Sequence, residues 1–179
     1  MTTGHVFMAM SLDGFVARED HGLDWLMKQP GDDEDHGYDA HIARMDGIVM
    51  GAGSFRTVLG FGDWPYTLPV VVMSRSLGDA DIPEALRGKV RLSGKAPKTL
   101  MAELTAEGWR RAYVDGGAVV RSFLAEGLVE DMTVTIVPIL LGRGIRLFGE
   151  LPGDVDLETS EVRSHPSGLT DLVYRVKAG

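Results

Sequence analysis

Cysteine is absent from the 179-residue sequence, which excludes disulfide bonds, thiolate metal sites and cysteine nucleophiles together. Basic residues are few: 18 lysines and arginines stand against 26 aspartates and glutamates, giving a net charge of −8. This balance disfavours nonspecific binding to nucleic acid or to an anionic membrane, since both need a basic surface. No apolar run approaches the roughly 18 residues of a membrane span, and no secretory leader pattern opens the sequence. We therefore expect a cytoplasmic protein without nucleic-acid or membrane partners.

Metal-binding patterns are also scarce. The five histidines are scattered, and no two of them stand at a recognisable ligand spacing. The acidic run 31–36 lacks the alternating oxygen ligands of a calcium loop, and negative charge favours a helix N-terminus without any metal. We therefore predict no metal site, and we interpret the run as the solvated start of a helix that ends near Met45. With 44% hydrophobic and 25% charged residues, the composition is that of a single globular domain spanning residues 1–179.

The most informative stretch is WRRAYVDGGAVVRSFLAEG, residues 109–127, where the hydrophobic period changes at two glycines. Residues 112–114 are typical of a short buried strand. The apolar residues within 119–124 fall at helical spacing, and Gly127 supplies a helix stop. The two glycines therefore form a tight turn between a strand and a helix. A turn of this kind directs the free N–H groups of a helix N-terminus to the carboxyl edge of a sheet, where open α/β sheets bind nucleotides. The alternative is a plain connection without a ligand.

A second stretch repeats this arrangement. Residues 47–50 predict a buried strand, and Gly51-Ala52-Gly53-Ser54 leads from it into a helix through Leu59. The third glycine of the dinucleotide fingerprint is missing, so the standard Rossmann assignment fails. Two strand-glycine-helix corners at one sheet edge could nevertheless hold the two phosphates of a dinucleotide between them, and Arg56 could add positive charge.

Two further side chains are candidate site residues. Arg75, between two serines at the end of a predicted strand, suits a monophosphate such as the 2′-phosphate that separates NADP from NAD; the alternative is an ordinary surface arginine. Asp13 follows a predicted central strand, where burial can raise a carboxyl pKa toward the range useful for proton transfer. The alternative, which the local sequence favours, is that Asp13 only caps the turn before Gly14.

Four segments carry a family resemblance: SLDGFVA at 11–17, VMGAGSFRTV at 49–58, VVMSRSL at 71–77, and DGGAVVRSFLAEGLVEDMTVTIVPILLGRGIRLF at 115–148. Together they resemble the dihydrofolate-reductase-like superfamily, and within it the reductase domain of bacterial riboflavin biosynthesis and its stand-alone relatives. The resemblance covers nearly the whole chain. It implies an α/β protein with a three-layer αβα fold, a mostly parallel eight-stranded sheet with an antiparallel C-terminal edge, and commonly a homodimer.

The resemblance also implies NADPH binding and assigns site residues. It places the pyrophosphate and ribose by Gly51, Gly53, Ser54, Phe55 and Arg56. It places the second phosphate turn at Gly116, Gly117, Ala118 and Val119. The 2′-phosphate would be held by Ser74 and Arg75, and the adenosine would lie near Gly94. The nicotinamide would border Ala9, and Asp13 would face the substrate as a proton relay, which reverses the preference of the local sequence.

The activity that the resemblance implies is hydride transfer to a small polar heterocycle, as in 5-amino-6-(5-phosphoribosylamino)uracil reductase. Two alternatives stand beside it. One is a dihydrofolate reductase, which would need a carboxylate in the helix after the first loop, where the sequence offers Asp24. The other is a catalytically silent nucleotide-binding protein that kept the fold and lost the chemistry.

Overall fold

The structure is a computed structural model that describes residues 1–31 and 33–177. Its strands are β1 (Thr3–Ser11), β2 (Phe15–Ala17), β3 (Gly47–Gly51), β4 (Val70–Met73), β5 (Val90–Ser93), β6 (Arg111–Asp115), β7 (Val129–Val137), β8 (Ile145–Arg146), β9 (Leu157–Ser164) and β10 (Thr170–Val176). Its helices are α1 (Asp24–Met27), α2 (Tyr38–Ile42), α3 (Ala52–Leu59), α4 (Pro97–Ala106) and α5 (Gly117–Ala125). Within these described ranges, no helix has the length and apolar character needed to cross a membrane.

Eight strands form one sheet in the order β5-β4-β3-β6-β1-β7-β10-β9. The first six in this order run parallel to one another, whereas β10 runs antiparallel to both β7 and β9. The short strands β2 and β8 pair separately. The predicted mostly parallel sheet of eight strands with an antiparallel C-terminal edge is confirmed.

Helices cover the parallel part of the sheet on both faces. One face packs α4 and α5 through fully buried residues such as Leu104 and Phe123. The opposite face carries α3 and the chain around α2, with Phe55 and Met45 in its core. Parallel strands buried on both faces must be apolar along their whole length, which explains the continuous run Ile48–Met50. The predicted three-layer architecture is therefore confirmed.

The largest departure from the predicted elements is at the acidic run. A helix was expected to begin in the acidic run, but the observed helix, α2, has only five residues. It starts after Gly37, whose φ of +83° is in the left-handed region. The residues before Gly37 bond to the end of the sheet instead: Glu34 accepts the Ser167 N–H, and His36 contacts Asp171. Tertiary hydrogen bonds thus override the local preference of acidic residues for a helix N-terminus.

Candidate functional site

The two predicted glycine corners lie side by side at the carboxyl edge of the sheet. The strands that lead into them, β3 and β6, are hydrogen-bonded neighbours with Met50 opposite Asp115. Gly116 has a φ of +97°, and a Cβ at this position would stand 2.6 Å from Ser54 Oγ and 3.8 Å from the backbone nitrogen of Gly51. The N-termini of α3 and α5 therefore begin next to each other, and both present free N–H groups to the same edge.

The corners form part of the wall of a cavity of about 550 Å³. This volume falls within the range of small-molecule sites, about 300–1,000 Å³. Ala9, which the resemblance places beside the nicotinamide, also lies in this wall. The predicted site residues that the structure gathers around this cavity are Ala9, Gly51, Gly53, Ser54, Gly116, Gly117, Ala118 and Val119.

Two predicted residues of the first corner point elsewhere. The Phe55 side chain is 1% exposed and packs edge-on against Trp64, so it belongs to the core beneath α3. Arg56 is exposed to solvent and stands outside the cavity lining. Because successive residues of a helix point in different directions around the helix axis, the side chains of Phe55 and Arg56 point away from the corner that the preceding residues form. The assignment of Phe55 and Arg56 to the pyrophosphate stays a prediction.

Ser74, Arg75 and Gly94 come together one strand beyond the first corner. They follow β4 and β5, and Met73 at the end of β4 is paired with Gly51. A Cβ on Gly94 would lie 3.5 Å from the Ser74 carbonyl oxygen and 4.0 Å from Arg75 Cγ. The three residues lie outside the cavity lining, with the Arg75 side chain exposed. They therefore form a separate group that continues the sheet edge away from the cavity.

The Asp13 carboxylate ties two loops together. It accepts hydrogen bonds from Ser11 Oγ at 2.6 Å, from the Leu141 N–H at 3.1 Å and from the Gly142 N–H at 2.7 Å. The bond from Ser11, with the backbone bonds, lowers the pKa of Asp13 to about 2. Asp13 is also outside the cavity lining. These contacts are those of a turn cap, and the role of Asp13 as a proton relay stays a prediction.

A different carboxyl group faces the cavity. Asp115, the last residue of β6, lies in the cavity wall, and burial raises its pKa from 3.8 to about 6 although hydrogen bonds from Ser54 and the Gly116 N–H act in the opposite direction. A carboxyl group with such a pKa exchanges protons near neutral pH. Sequence reasoning treated Asp115 only as part of the turn. Its place at the end of a buried central strand, the criterion applied to Asp13, would have identified it.

Three tyrosines line the cavity around Asp115: Tyr38, Tyr66 and Tyr113. Burial first, and the charge of Asp115 second, raise the pKa of each phenol, so all three remain neutral. The Tyr113 hydroxyl donates to the Phe7 carbonyl oxygen at 3.0 Å, which fixes its ring. Sequence reasoning did not select these residues, because aromatic side chains near strands usually signal core packing.

His21 is a further cavity residue that sequence reasoning missed. It follows β2 with a φ of +67°, a left-handed conformation rare for a residue with a side chain. Its imidazole lies against Gly53, where a Cβ would overlap the ring. The glycine of the first corner thus admits a histidine from a loop more than thirty positions earlier, a contact that no local pattern predicts.

A comparison with known sequences decides the family. The profile described as the RibD C-terminal domain matches residues 2–170, nearly the whole chain. The chain belongs to the RibD C-terminal domain family. This confirms the resemblance to the riboflavin-biosynthesis reductases and the dihydrofolate-reductase-like fold. Membership of the RibD C-terminal domain family supports a reductase-like role of the riboflavin-pathway type.

Several known proteins are similar to this RibD C-terminal domain in sequence or in fold. A Shewanella sp. PV-4 protein provisionally named for riboflavin biosynthesis is 37% identical, with a TM-score of 0.91 over 99% of this chain and 100% of that one. Protein YwjB of Bacillus subtilis, itself uncharacterised, is 28% identical over 85% of this chain and 86% of its own. The diaminohydroxyphosphoribosylaminopyrimidine deaminase/5-amino-6-(5-phosphoribosylamino)uracil reductase of Thermotoga maritima shares the fold, with a TM-score of 0.74 at 13% identity over 98% of this chain and 57% of that one.

The folate alternative receives no support from the geometry of this RibD C-terminal domain. Asp24, the carboxylate of α1, is exposed and pairs with Arg18 through two hydrogen bonds of 2.6 and 2.8 Å. It stands outside the cavity lining, whereas its apolar neighbours Leu23 and Leu26 are part of it. The wall that α1 contributes is therefore apolar.

Proposed function

We propose that this protein is an NADPH-dependent reductase that transfers a hydride to a small polar heterocycle, of the class reduced by 5-amino-6-(5-phosphoribosylamino)uracil reductases. The single observation that carries the proposal is the meeting of two glycine corners at one cavity, with Gly116 packed within reach of Ser54 and Gly51. Two adjacent helix N-termini fit the two phosphates of a dinucleotide.

The residues present fit such a cofactor. Among the described residues, the cavity lining contains no lysine or arginine, so an anionic group there would be held by the N–H groups of α3 and α5. Ser74 and Arg75 follow the neighbouring strand β4, where a guanidinium and a hydroxyl suit the 2′-phosphate. Gly94 leaves room beside them for the adenosine, and Ala9 would border the nicotinamide.

NADPH, when bound, supplies the hydride. The protein positions the two reactants and excludes water, for which the apolar wall of Leu23, Leu26 and Val119 is suited. The reduction also needs a proton, and Asp115 is placed to hold one, because its carboxyl faces the cavity with a pKa of about 6. We assign Asp13 the part of holding the loop at Leu141 against the turn after β1.

The test is a side-by-side titration with NADPH and NADH, followed by tryptophan quenching. We expect NADPH to bind more tightly, and Arg75→Ala to remove about ten- to hundredfold of that preference, the value of a charge-assisted phosphate contact. Arg87→Ala is the matched control, because Arg87 is also exposed but precedes β5, at the amino end of the parallel strands.

Equal indifference to both nucleotides would refute the cofactor assignment. Tight NADPH binding without oxidation by any pyrimidine offered would instead favour the catalytically silent nucleotide-binding protein. Turnover of dihydrofolate would favour the folate alternative. Asp115→Asn then separates binding from chemistry, since it should keep NADPH affinity and lose turnover.

We also propose that the protein acts in the cytoplasm as a homodimer, as the resemblance implies. The edge strand β9 leaves Leu157 and Val162 exposed, by 38% and 57%, which is compatible with a covering partner. Light scattering after gel filtration measures the mass directly, and a monomer at all concentrations would contradict the homodimer.

A further inference from the structure

A cluster of titratable side chains lies at the antiparallel end of the sheet, outside the proposed reductase site. Its centre is Asp171 on β10, which is 0% exposed. Asp171 Oδ1 accepts a hydrogen bond from Thr135 Oγ1 at 2.6 Å and lies 3.0 Å from His36 Nδ1, and Asp171 Oδ2 lies 2.8 Å from His165 Nε2. Arg163 stands 3.7 Å away and balances the carboxylate charge. Two imidazoles from distant parts of the chain are thus fixed by one buried carboxylate.

This arrangement determines which ring nitrogens remain free. An ionised carboxylate only accepts hydrogen bonds, so His36 Nδ1 and His165 Nε2 must both carry protons. In neutral imidazoles the lone pairs then lie on His36 Nε2 and His165 Nδ1. The two rings are 4.2 Å apart between centroids. Asp171 therefore fixes the orientation of two neighbouring imidazole rings, each of which keeps one nitrogen lone pair.

Glu34 completes the set. Its Oε2 stands 3.8 Å from His36 Nε2, and its Oε1 accepts the Ser167 N–H at 2.9 Å. One ligand atom from each of Glu34, His36 and His165 lies within 4.8 Å of the others, and the three side chains are only 13%, 20% and 12% exposed. To ligate one zinc ion, the three atoms would move inward until each lies about 2.0–2.2 Å from the metal.

We propose that Glu34, His36 and His165, the histidine–glutamate cluster, bind a divalent transition metal of the zinc class. Two imidazoles and one carboxylate form a three-ligand set that zinc completes with a water molecule. The hydrogen bonds from both imidazoles to Asp171 are the outer contacts that orient histidine ligands in metal sites. The rival interpretation is a plain ion pair, in which a protonated His36 bridges Glu34 and Asp171.

The position of the cluster indicates what the metal would do. Ala9 is paired with Thr135, and Thr135 with Asp171, so the cluster lies two strands away from the cavity wall, about 10 Å. Tyr38, a cavity residue, follows Glu34 and His36 closely in the chain. The metal would fasten the segment that carries this wall to the turn between β9 and β10.

The experiment is a Co²⁺ and Zn²⁺ titration of the untagged full chain after treatment with a chelator. We expect one equivalent of Co²⁺ to bind with the intense visible absorption of a four-coordinate site, and Zn²⁺ to displace it. Saturating Zn²⁺ should raise the Tm by about 5 °C. Because these readouts use the unaltered protein, they do not depend on any variant folding.

Variants then locate the site. His165→Asn and Glu34→Gln should each weaken Co²⁺ binding at least about tenfold, and Asp171→Asn about ten- to hundredfold through loss of orientation. His21→Asn, which removes an exposed histidine outside the cluster, should bind as the unaltered protein does. Absence of saturable binding would overturn the proposal in favour of the ion pair. Binding that the His165 and Glu34 variants leave unchanged would overturn it as well, because the metal would then bind elsewhere.

Discussion

The two glycine corners lie at the carboxyl edge of the sheet, and the histidine–glutamate cluster lies at its antiparallel end. The two sites differ in how far apart their residues stand in the sequence. Each corner is a continuous segment in which a strand, a turn and a helix follow one another directly. The cluster is oriented by a contact between His36 and Asp171, which lie 135 positions apart on segments that share no local pattern. The corner is a property of neighbouring residues, whereas the cluster exists only because of the sheet order.

The same contrast between local and long-range interactions explains the structure of the acidic run. By itself, a run of carboxylates before an amphipathic stretch favours a helix N-terminus. In the folded chain, Glu34 accepts the Ser167 N–H and His36 contacts Asp171, and the helix begins only after Gly37. Hydrogen bonds between distant residues have thus overridden the preference of acidic residues for a helix N-terminus. The glycine corners, in contrast, keep the structure that their local sequence predicts.

The largest expected effect comes from filling the gap between the corners. Gly116→Ala places a Cβ 2.6 Å from Ser54 Oγ at a φ of +97°, so it should weaken NADPH binding at least about a hundredfold and destabilise the fold by about 1–2 kcal/mol. Gly127→Ala is the matched control, because it has a φ of +67° with open space around its Cβ. It should cost similar stability in urea unfolding and leave NADPH affinity unchanged. Equal NADPH affinity in both variants would contradict the proposed role of the corners.

The second effect is the pH dependence of the Asp115 carboxyl. Its folded pKa of about 6 lies above the ordinary 3.8, so the folded state takes up a proton that the unfolded state releases, and stability falls as the pH rises between these values. Asp115→Asn should therefore match the unaltered protein near about pH 4 and exceed it by at most about 3 kcal/mol near about pH 8. Urea unfolding across this range measures the difference.

Asp46 supplies the opposite sign as a control. Its carboxylate accepts the N–H groups of Arg110 and Arg111, which lower its pKa. Asp46→Asn should therefore lose stability at neutral pH and approach the unaltered protein in acid. A gain at neutral pH in both variants would show that general charge repulsion, and not burial of Asp115, is the cause.

The sequence predicted the fold and the corners because both depend on short segments. The mostly parallel sheet with its antiparallel C-terminal edge followed from the family resemblance, and the apolar run Ile48–Met50 required burial on both faces. His21 against Gly53, and Asp171 between His36 and His165, could not be predicted, since each contact needs the paths of two distant loops. Asp115 is intermediate: its place at the end of a strand is visible in the sequence, but its raised pKa comes from burial, which depends on the packing of the whole chain.

A third prediction tests the long-range network directly. Thr135→Val removes a buried hydroxyl that donates to Asp171 at 2.6 Å, so it should destabilise the fold by about 2 kcal/mol, the value of a hydrogen bond to a charged group. Thr133→Val, on the same strand at a partly exposed position, is the control and should change stability little. A similar loss of stability in both variants would mean that strand β7 tolerates no valine at these positions, and that the hydrogen bond to Asp171 is not the cause.

The smallest effect is expected at Asp13, and it decides between its two interpretations. If Asp13 caps the turn, Asp13→Asn loses at least one of the bonds from Leu141 and Gly142, because an amide has a single acceptor oxygen. Hydrogen exchange of the Gly142 amide should then accelerate about tenfold, and turnover should fall only modestly. Ser11→Ala, which removes the hydroxyl that donates to the same carboxylate, should cause a similar acceleration. Loss of turnover with unchanged hydrogen exchange at Gly142 would instead assign Asp13 to proton transfer. Because the Asp13 carboxylate is held by backbone N–H groups outside the cavity, it would then have to reach the substrate through a water molecule.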